Sequence, residues 1–111
     1  MPAAPSQGTP KASDSTAIPT WRSQIAAALE RNKRYPSEAR ARRQQGVAQL
    51  AFTLDRKGHV IASRIVRGSG HAALDQETLQ LLRRSQPFPP PPPELPGERI
   101  ELTVPVRFNL R

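Results

Sequence analysis

Ile100-Glu101-Leu102-Thr103-Val104-Pro105-Val106-Arg107-Phe108-Asn109-Leu110, the run IELTVPVRFNL near the carboxyl end, decides how the rest of the chain must be arranged. Ile100, Leu102, Val104, Val106, Phe108 and Leu110 alternate without a break against Glu101, Thr103, Pro105, Arg107 and Asn109, which predicts a strand with one dry and one wet face. Pro105 has no N–H to give to a ladder, so the strand belongs at the edge of a sheet. Six buried apolar side chains at roughly 1.5 to 3 kcal/mol each gain about 9 to 18 kcal/mol. Ordering the run costs about as much, at roughly 1.5 kcal/mol per residue. The strand therefore forms only if a sheet and helices cover its dry face, and its outer margin is left for something else.

Working outward, composition bounds what can cover it. The chain has 111 residues, 36% of them hydrophobic, enough for one core in a domain of roughly ninety residues. There is no cysteine, so neither a disulfide framework nor thiolate chemistry is available. No apolar run is long enough for a signal peptide or a membrane span. The formal charge is +8, carried mostly by arginine, which favours anionic partners and opposes self-association.

Residues 1–19 are mostly Pro, Ala, Ser, Thr, Gly and Gln with little to bury, and read as a disordered, proline-containing linker ahead of a domain at 20–111. Thr20 is placed to cap a helix whose apolar stripe is Trp21, Ile25, Ala28 and Leu29. Pro36 biases Tyr35 away from helix. Ser37 is placed to cap a second short helix over 38–45, with Gly46 as its left-handed terminator. A first strand follows over 47–54 with Leu50, Phe52 and Leu54 inward. Asp55-Arg56-Lys57-Gly58 is a tight turn, so the second strand, 60–67, returns antiparallel. In that strand Val60, Ala62 and Val66 compete with Ile61 and Ile65 for the core, and a bulge would reconcile them. A helix over about 73–85 then turns Leu74, Thr78, Leu81 and Leu82 inward, with Asp75 and Glu77 near its start. Pro89 to Pro93 form a stiff connector, read as a spacer to the last strand, with a proline-rich ligand for a partner domain as the alternative.

Pairing the last strand beside the second would make a parallel unit buried on both faces, which the wet positions Glu101, Thr103, Arg107 and Asn109 oppose. The expected fold is therefore α+β: a three-stranded antiparallel sheet in the order 2-1-3, with helices packed on one face.

Catalytic chemistry finds no foothold. His59 and His71 each neighbour a glycine, without metal-ligand spacing, and Ser69 lacks the context of a nucleophile elbow. Asp55 and Asp75 are explained by a turn and a helix start, leaving no spare carboxylate pair, and there is no phosphate-binding glycine loop. The chain reads as a non-enzyme that needs no cofactor or metal. Arg31, Lys33, Arg34, Arg40, Arg42 and Arg43 form a basic cluster, but no aromatic platform for bases accompanies it. A nucleic-acid module is thus the weaker alternative to a protein-facing surface.

Taken in order, Arg-Tyr-Pro at 34–36, the turn Asp55, Gly58, Val60, then Ser69, Gly70, Leu74 and Asp75, Pro-Phe-Pro-Pro at 87–90 and the closing Arg-Phe-Asn-Leu resemble the C-terminal domain of TonB proteins. The resemblance covers about 21–111, and the linker at 1–19 resembles the end of the family's periplasmic linker. It implies a periplasmic domain of an inner-membrane-anchored energy transducer. Such proteins work with ExbB and ExbD and grip the TonB box and plug of outer-membrane TonB-dependent receptors, driving import of cargo such as iron-siderophores or haem.

Carried onto this chain, the resemblance implies that the box adds as a strand beside Glu101, Leu102, Thr103, Val104, Pro105, Val106, Arg107 and Phe108, with Asn32, Lys33, Arg34 and Tyr35 close by. Two positions depart from the pattern. Pro105 removes an edge donor if its nitrogen points outward, and Glu38 stands where many relatives carry a basic residue. A related TolA-type envelope scaffold and a homodimer through the open edge are the remaining alternatives.

Overall fold

The computed structural model of the protein describes residues 16–110. Three strands, β1 (Gly46–Leu54), β2 (Val60–Arg67) and β3 (Ile100–Phe108), make one antiparallel sheet in the order β2-β1-β3. Three helices, α1 (Ala17–Asn32), α2 (Ser37–Ala41) and α3 (Ala72–Arg84), complete the fold. The expected class and strand order are those observed.

β1 is central, and one of its faces packs into the core. Ala48, Leu50, Phe52 and Leu54 are buried with Trp21, Ile25 and Leu29 of α1, Leu74, Leu81 and Leu82 of α3, and Leu102, Val106 and Phe108 of β3. The expected inward residues of α1 and α3 are therefore the ones that close the core. The β1–β3 register runs unbroken from Gly46 opposite Phe108 to Leu54 opposite Ile100, passing through Pro105 opposite Gln49. β3 ends two residues earlier than its alternation suggested. Leu110 leaves the ladder, its N–H donating instead to Gln45 Oε1 at 2.8 Å.

β2 is bulged twice. Leu54 faces Val60 while Thr53 faces Ala62, and Leu50 faces Ile65 while Gln49 faces Arg67, so Ile61 and Val66 are extra residues with no partner on β1. This settles the competition for the core: Val60 and Ile65 pack against it, whereas Ile61 and Val66 stay exposed.

Three helix boundaries differ from expectation. α1 begins at Ala17, not after Thr20, with Thr16 at its N-cap and Thr20 N–H bonded to the Thr16 carbonyl at 2.8 Å. Pro19 is tolerated because a first-turn N–H would have no helical acceptor anyway. Residues 17–19 thus belong to the helix, and residues 1–15 of the expected linker lie outside the described residues. α2 already includes Ser37, with Pro36 at its N-cap, and is only five residues long. Its exit is turned by Arg43, at φ 54°, and not by Gly46. Gly46 instead opens β1 where a Cβ would lie 2.5 Å from the Ser69 carbonyl oxygen.

The proline connector is fastened along its length. Phe88 stacks on Phe52 with centroids 5.7 Å apart, and its N–H donates to the Gly58 carbonyl at 2.9 Å. Gly58 sits at φ +89°, and any Cβ there would fall 2.0 Å from the Phe88 carbonyl oxygen. Trp21 Nε1 donates to the Pro89 carbonyl at 2.7 Å. The Arg56 guanidinium donates to the carbonyls of Leu95 (2.6 Å), Gly97 (3.0 Å) and Pro92 (3.1 Å). With Pro91 buried and these carbonyls engaged, the segment serves as a built-in strut between α3 and β3, as the spacer reading expects.

Candidate functional site

β3 pairs with β1 on one side only. Backbone groups along a strand point alternately to its two sides, and the ladder passes Pro105 without a bulge. Its nitrogen, having no proton to give, therefore faces outward. Lys33 Nζ, arriving from the end of α1, donates to the carbonyl of Arg107, two residues on and of the same parity. Glu101, Thr103, Pro105 and Arg107 thus turn their backbone to the open margin. Leu102, Val106 and Phe108 bury their side chains in the core, and Val104 is half-buried.

Beside this margin runs an apolar groove of about 260 Å³ between α1 and β3, floored by Ala26, Leu29, Leu81, Val104 and Val106. Glu30, Lys33 and Arg107 stand around it. Lys33 also pairs with Glu30 at 2.8 Å and lies 5.5 Å from the Phe108 ring centroid.

The segment from Asn32 to Pro36, which flanks the C-terminal end of β3, is tied to α3 by a buried acid. Glu77 is only 7% exposed. One of its oxygens accepts the Arg34 N–H at 2.9 Å, and both accept from the Arg84 guanidinium. Arg84 donates in addition to the Asn32 carbonyl at 2.8 Å. Tyr35 sets its ring edge-on to Phe108, centroids 5.6 Å apart, donates its hydroxyl to the Gln44 carbonyl and carries the Arg40 guanidinium over its face at 5.2 Å.

Of the residues expected at the site, Lys33 and Tyr35 contact the end of β3, while Asn32 and Arg34 bond to α1 and α3. Lys33 reaches the margin itself, and Arg34 is exposed. Asn32 is turned back onto α1, its amide donating to the Ala28 carbonyl at 2.8 Å. The groove floor from α1 and α3 was not anticipated, nor was the Glu77–Arg84 pair. Ala26 offered the one hint, a small residue in α1 just off the apolar stripe. Glu38 pairs with Arg42 at 3.5 Å on the surface, away from the groove.

Asp55 has a displaced acidity, and it lies in the hairpin turn, not at this edge. Its carboxylate accepts the N–H groups of His59 and Lys57, each at 2.9 Å, and the His59 bond is the main cause holding its pKa below the ordinary 3.8. Among the described residues no three His, Cys, Asp or Glu side chains come together as a metal site, and no helix is long and apolar enough to cross a membrane.

Comparison with known proteins agrees with the fold. The TonB protein of Pseudomonas putida is 44% identical over 100 residues, covering 89% of this chain and 41% of that protein. The C-terminal domain of Helicobacter pylori TonB superposes with a TM-score of 0.71 at 22% identity, covering 94% of this chain and 98% of that one. The HasB C-terminal domain does so with a TM-score of 0.56 at 39% identity, covering 95% and 91%. The chain spans less than half the length of the curated relatives it matches. Residues 31–110, which include the groove's basic rim and the whole of β3, match the model of the C-terminal region of Gram-negative bacterial TonB proteins, and the chain belongs to that family.

Proposed function

We propose that this domain is the receptor-gripping end of a TonB-like energy transducer, binding the amino-terminal TonB box of outer-membrane TonB-dependent receptors as an added strand on β3. The observation that carries this reading is the combination of an unpaired β3 margin with an apolar groove directly beside it. Strand addition takes its affinity from main-chain bonds and its specificity from pockets for alternate side chains. Here the outward groups of Glu101, Thr103, Pro105 and Arg107 would supply the bonds, and the groove would receive the side chains that face α1.

The expected grip is modest and reversible. About five backbone bonds at a net 0.5 to 1.5 kcal/mol each amount to a few kcal/mol, before the cost of association. The groove must add to this. Such a row of bonds loaded along the strand direction would shear together, which suits transmission of force. In the whole protein, a membrane-anchored portion working with ExbB and ExbD would deliver proton-gradient energy to this periplasmic domain, for import of cargo such as iron-siderophores or haem.

Titrating the ¹⁵N-labelled domain with a panel of receptor N-terminal peptides tests the reading. The expected result is amide shifts at Glu101, Thr103 and Arg107 and in the segment from Asn32 to Tyr35. Silence towards every box peptide, or shifts confined to β2, would overturn it and return the domain to a TolA-like scaffold role.

A further inference from the structure

The sheet has a second face, and none of the helices covers it. Register places Gln49, Ala51 and Thr53 of β1 on that face, flanked by Arg67, Arg64 and Ala62 of β2 and by Pro105, Thr103 and Glu101 of β3. One row further, Arg107 stands opposite Val47. Strands about 4.8 Å apart set Arg64 and Thr103 roughly 10 Å from each other, so this is a broad surface with a floor of short side chains. Ala51 is 3% exposed even here.

The charge on this face is lopsided. Arg64, Arg67 and Arg107 are exposed and form no ion pair among the described residues. Arg99 is exposed at the far end, where a shallow depression is lined by Thr53, Ile61, Ala62, Arg99 and Glu101. Glu101 is the single acid in these rows. Cations brought this close together repel one another and destabilise the isolated domain slightly, so a partner of opposite sign would relieve them.

We infer that the uncovered sheet face, centred on Arg64 and Arg67, is a second docking surface for an acidic protein surface of the receptor whose box adds to β3. The inference rests on the strand-addition reading for the partner's identity. Its physical basis is separate: β3 contributes Thr103 and Arg107 side chains to this face while offering their backbone to the margin, so the two surfaces are continuous. A body tethered at the margin needs to extend only about 14 Å across the sheet to reach β2. Arginine suits carboxylates because its planar fork binds them bidentately, and arginine is enriched at protein interfaces whereas lysine is depleted. Nucleic acid is disfavoured because no aromatic ring lies among the paired positions of this face. A lipid surface is disfavoured because, among the described residues, the only large apolar side chains exposed are Ile61 and Val66, both on the outer strand β2.

The test compares two probes on the folded domain: isolated box peptides, and detergent-solubilised receptors encoded in the same genome. The variants are Arg64→Glu/Arg67→Glu and a charge-matched control on exposed helix positions, Arg22→Glu/Arg83→Glu. The proposal expects peptide affinity to stay within about twofold for both variants. It expects receptor affinity to fall roughly tenfold or more for Arg64→Glu/Arg67→Glu only, with a shallower salt dependence between about 50 and 300 mM. Unchanged receptor affinity would overturn it, as would an equal loss in the control, which would reduce the effect to net charge. Binding to phosphatidylglycerol vesicles that is lost in Arg64→Glu/Arg67→Glu, with receptor affinity intact, would assign the face to lipid instead. If no box peptide binds the wild-type domain, the strand-addition reading fails, while the receptor comparison still decides this one.

Discussion

Lys33 donates a hydrogen bond from the end of α1 to the main-chain carbonyl of Arg107, the last outward-facing acceptor of β3. Any strand added along that margin competes with this ammonium for the same oxygen. Replacing Lys33 with alanine frees the acceptor and lengthens the available ladder by one bond, a net of about 0.5 to 1.5 kcal/mol. Calorimetric titration of Lys33→Ala with a box peptide is expected to show affinity roughly two- to tenfold tighter. Weaker binding would mean that Lys33 grips the peptide directly and does not guard the edge.

Pro105 guards the same margin in a different way. With its nitrogen outward it withholds a donor in the middle of an otherwise open edge, a common defence against edge-to-edge association. Pro105→Val should keep the β1 register, since that side of the strand never used a proline N–H. It is expected to tighten peptide binding and to make the domain self-associate at high concentration. Sedimentation velocity over a concentration series checks the second effect, and a strictly monomeric Pro105→Val would show that the proline is not what keeps copies apart.

The main outline was legible because the alternation from Ile100 to Leu110 and the stripes of α1 and α3 are period signals that tertiary contacts reinforce. The edge position of β3 followed from one residue, Pro105, whose missing proton has the same consequence in any sheet. What could not be read depended on partners distant in sequence. Glu77 looked like a dipole-favouring acid near a helix start, yet its burial is dictated by Arg34 and Arg84, 43 and 7 residues away. Arg56 looked like a turn residue, and only the folded connector reveals that it holds the carbonyls of Leu95 and Gly97. The groove likewise needs α1, α3 and β3 together, and none of the three announces it alone.

Glu77 joins α3 to the segment that flanks the edge, so its removal should be felt in both stability and binding. Glu77→Ala leaves the Arg34 N–H without an acceptor and Arg84 without its carboxylate. Breaking a buried pair costs about 3 to 5 kcal/mol. Arg84 keeps a side-chain exposure of 23%, so water recovers part of that and about 2 to 3 kcal/mol is the expected loss. Urea denaturation measures it. A cycle with Arg84→Met should give strong coupling, and additive effects would show that the pair is not acting as a unit. In a variant that remains folded, amides from Asn32 to Tyr35 should exchange faster.

Asp55 makes the hairpin pH-sensitive in a direction that its contacts fix. The His59 N–H, and secondarily the Lys57 N–H, stabilise the ionised carboxylate, so its folded pKa lies below the ordinary 3.8. A depressed acid pKa contributes stability that is complete above the unfolded value and is lost as pH falls through the folded one. The unfolded chain therefore binds this proton first as pH drops below about 4, and from there the native state loses the contribution. Asp55→Asn keeps one acceptor oxygen but no charge. It should be less stable than the wild type near neutral pH, with the gap closing progressively below about pH 4. Denaturant midpoints measured for both proteins across that range decide the point, because a gap independent of pH would mean that the turn is held by the side chain's shape and not by its charge.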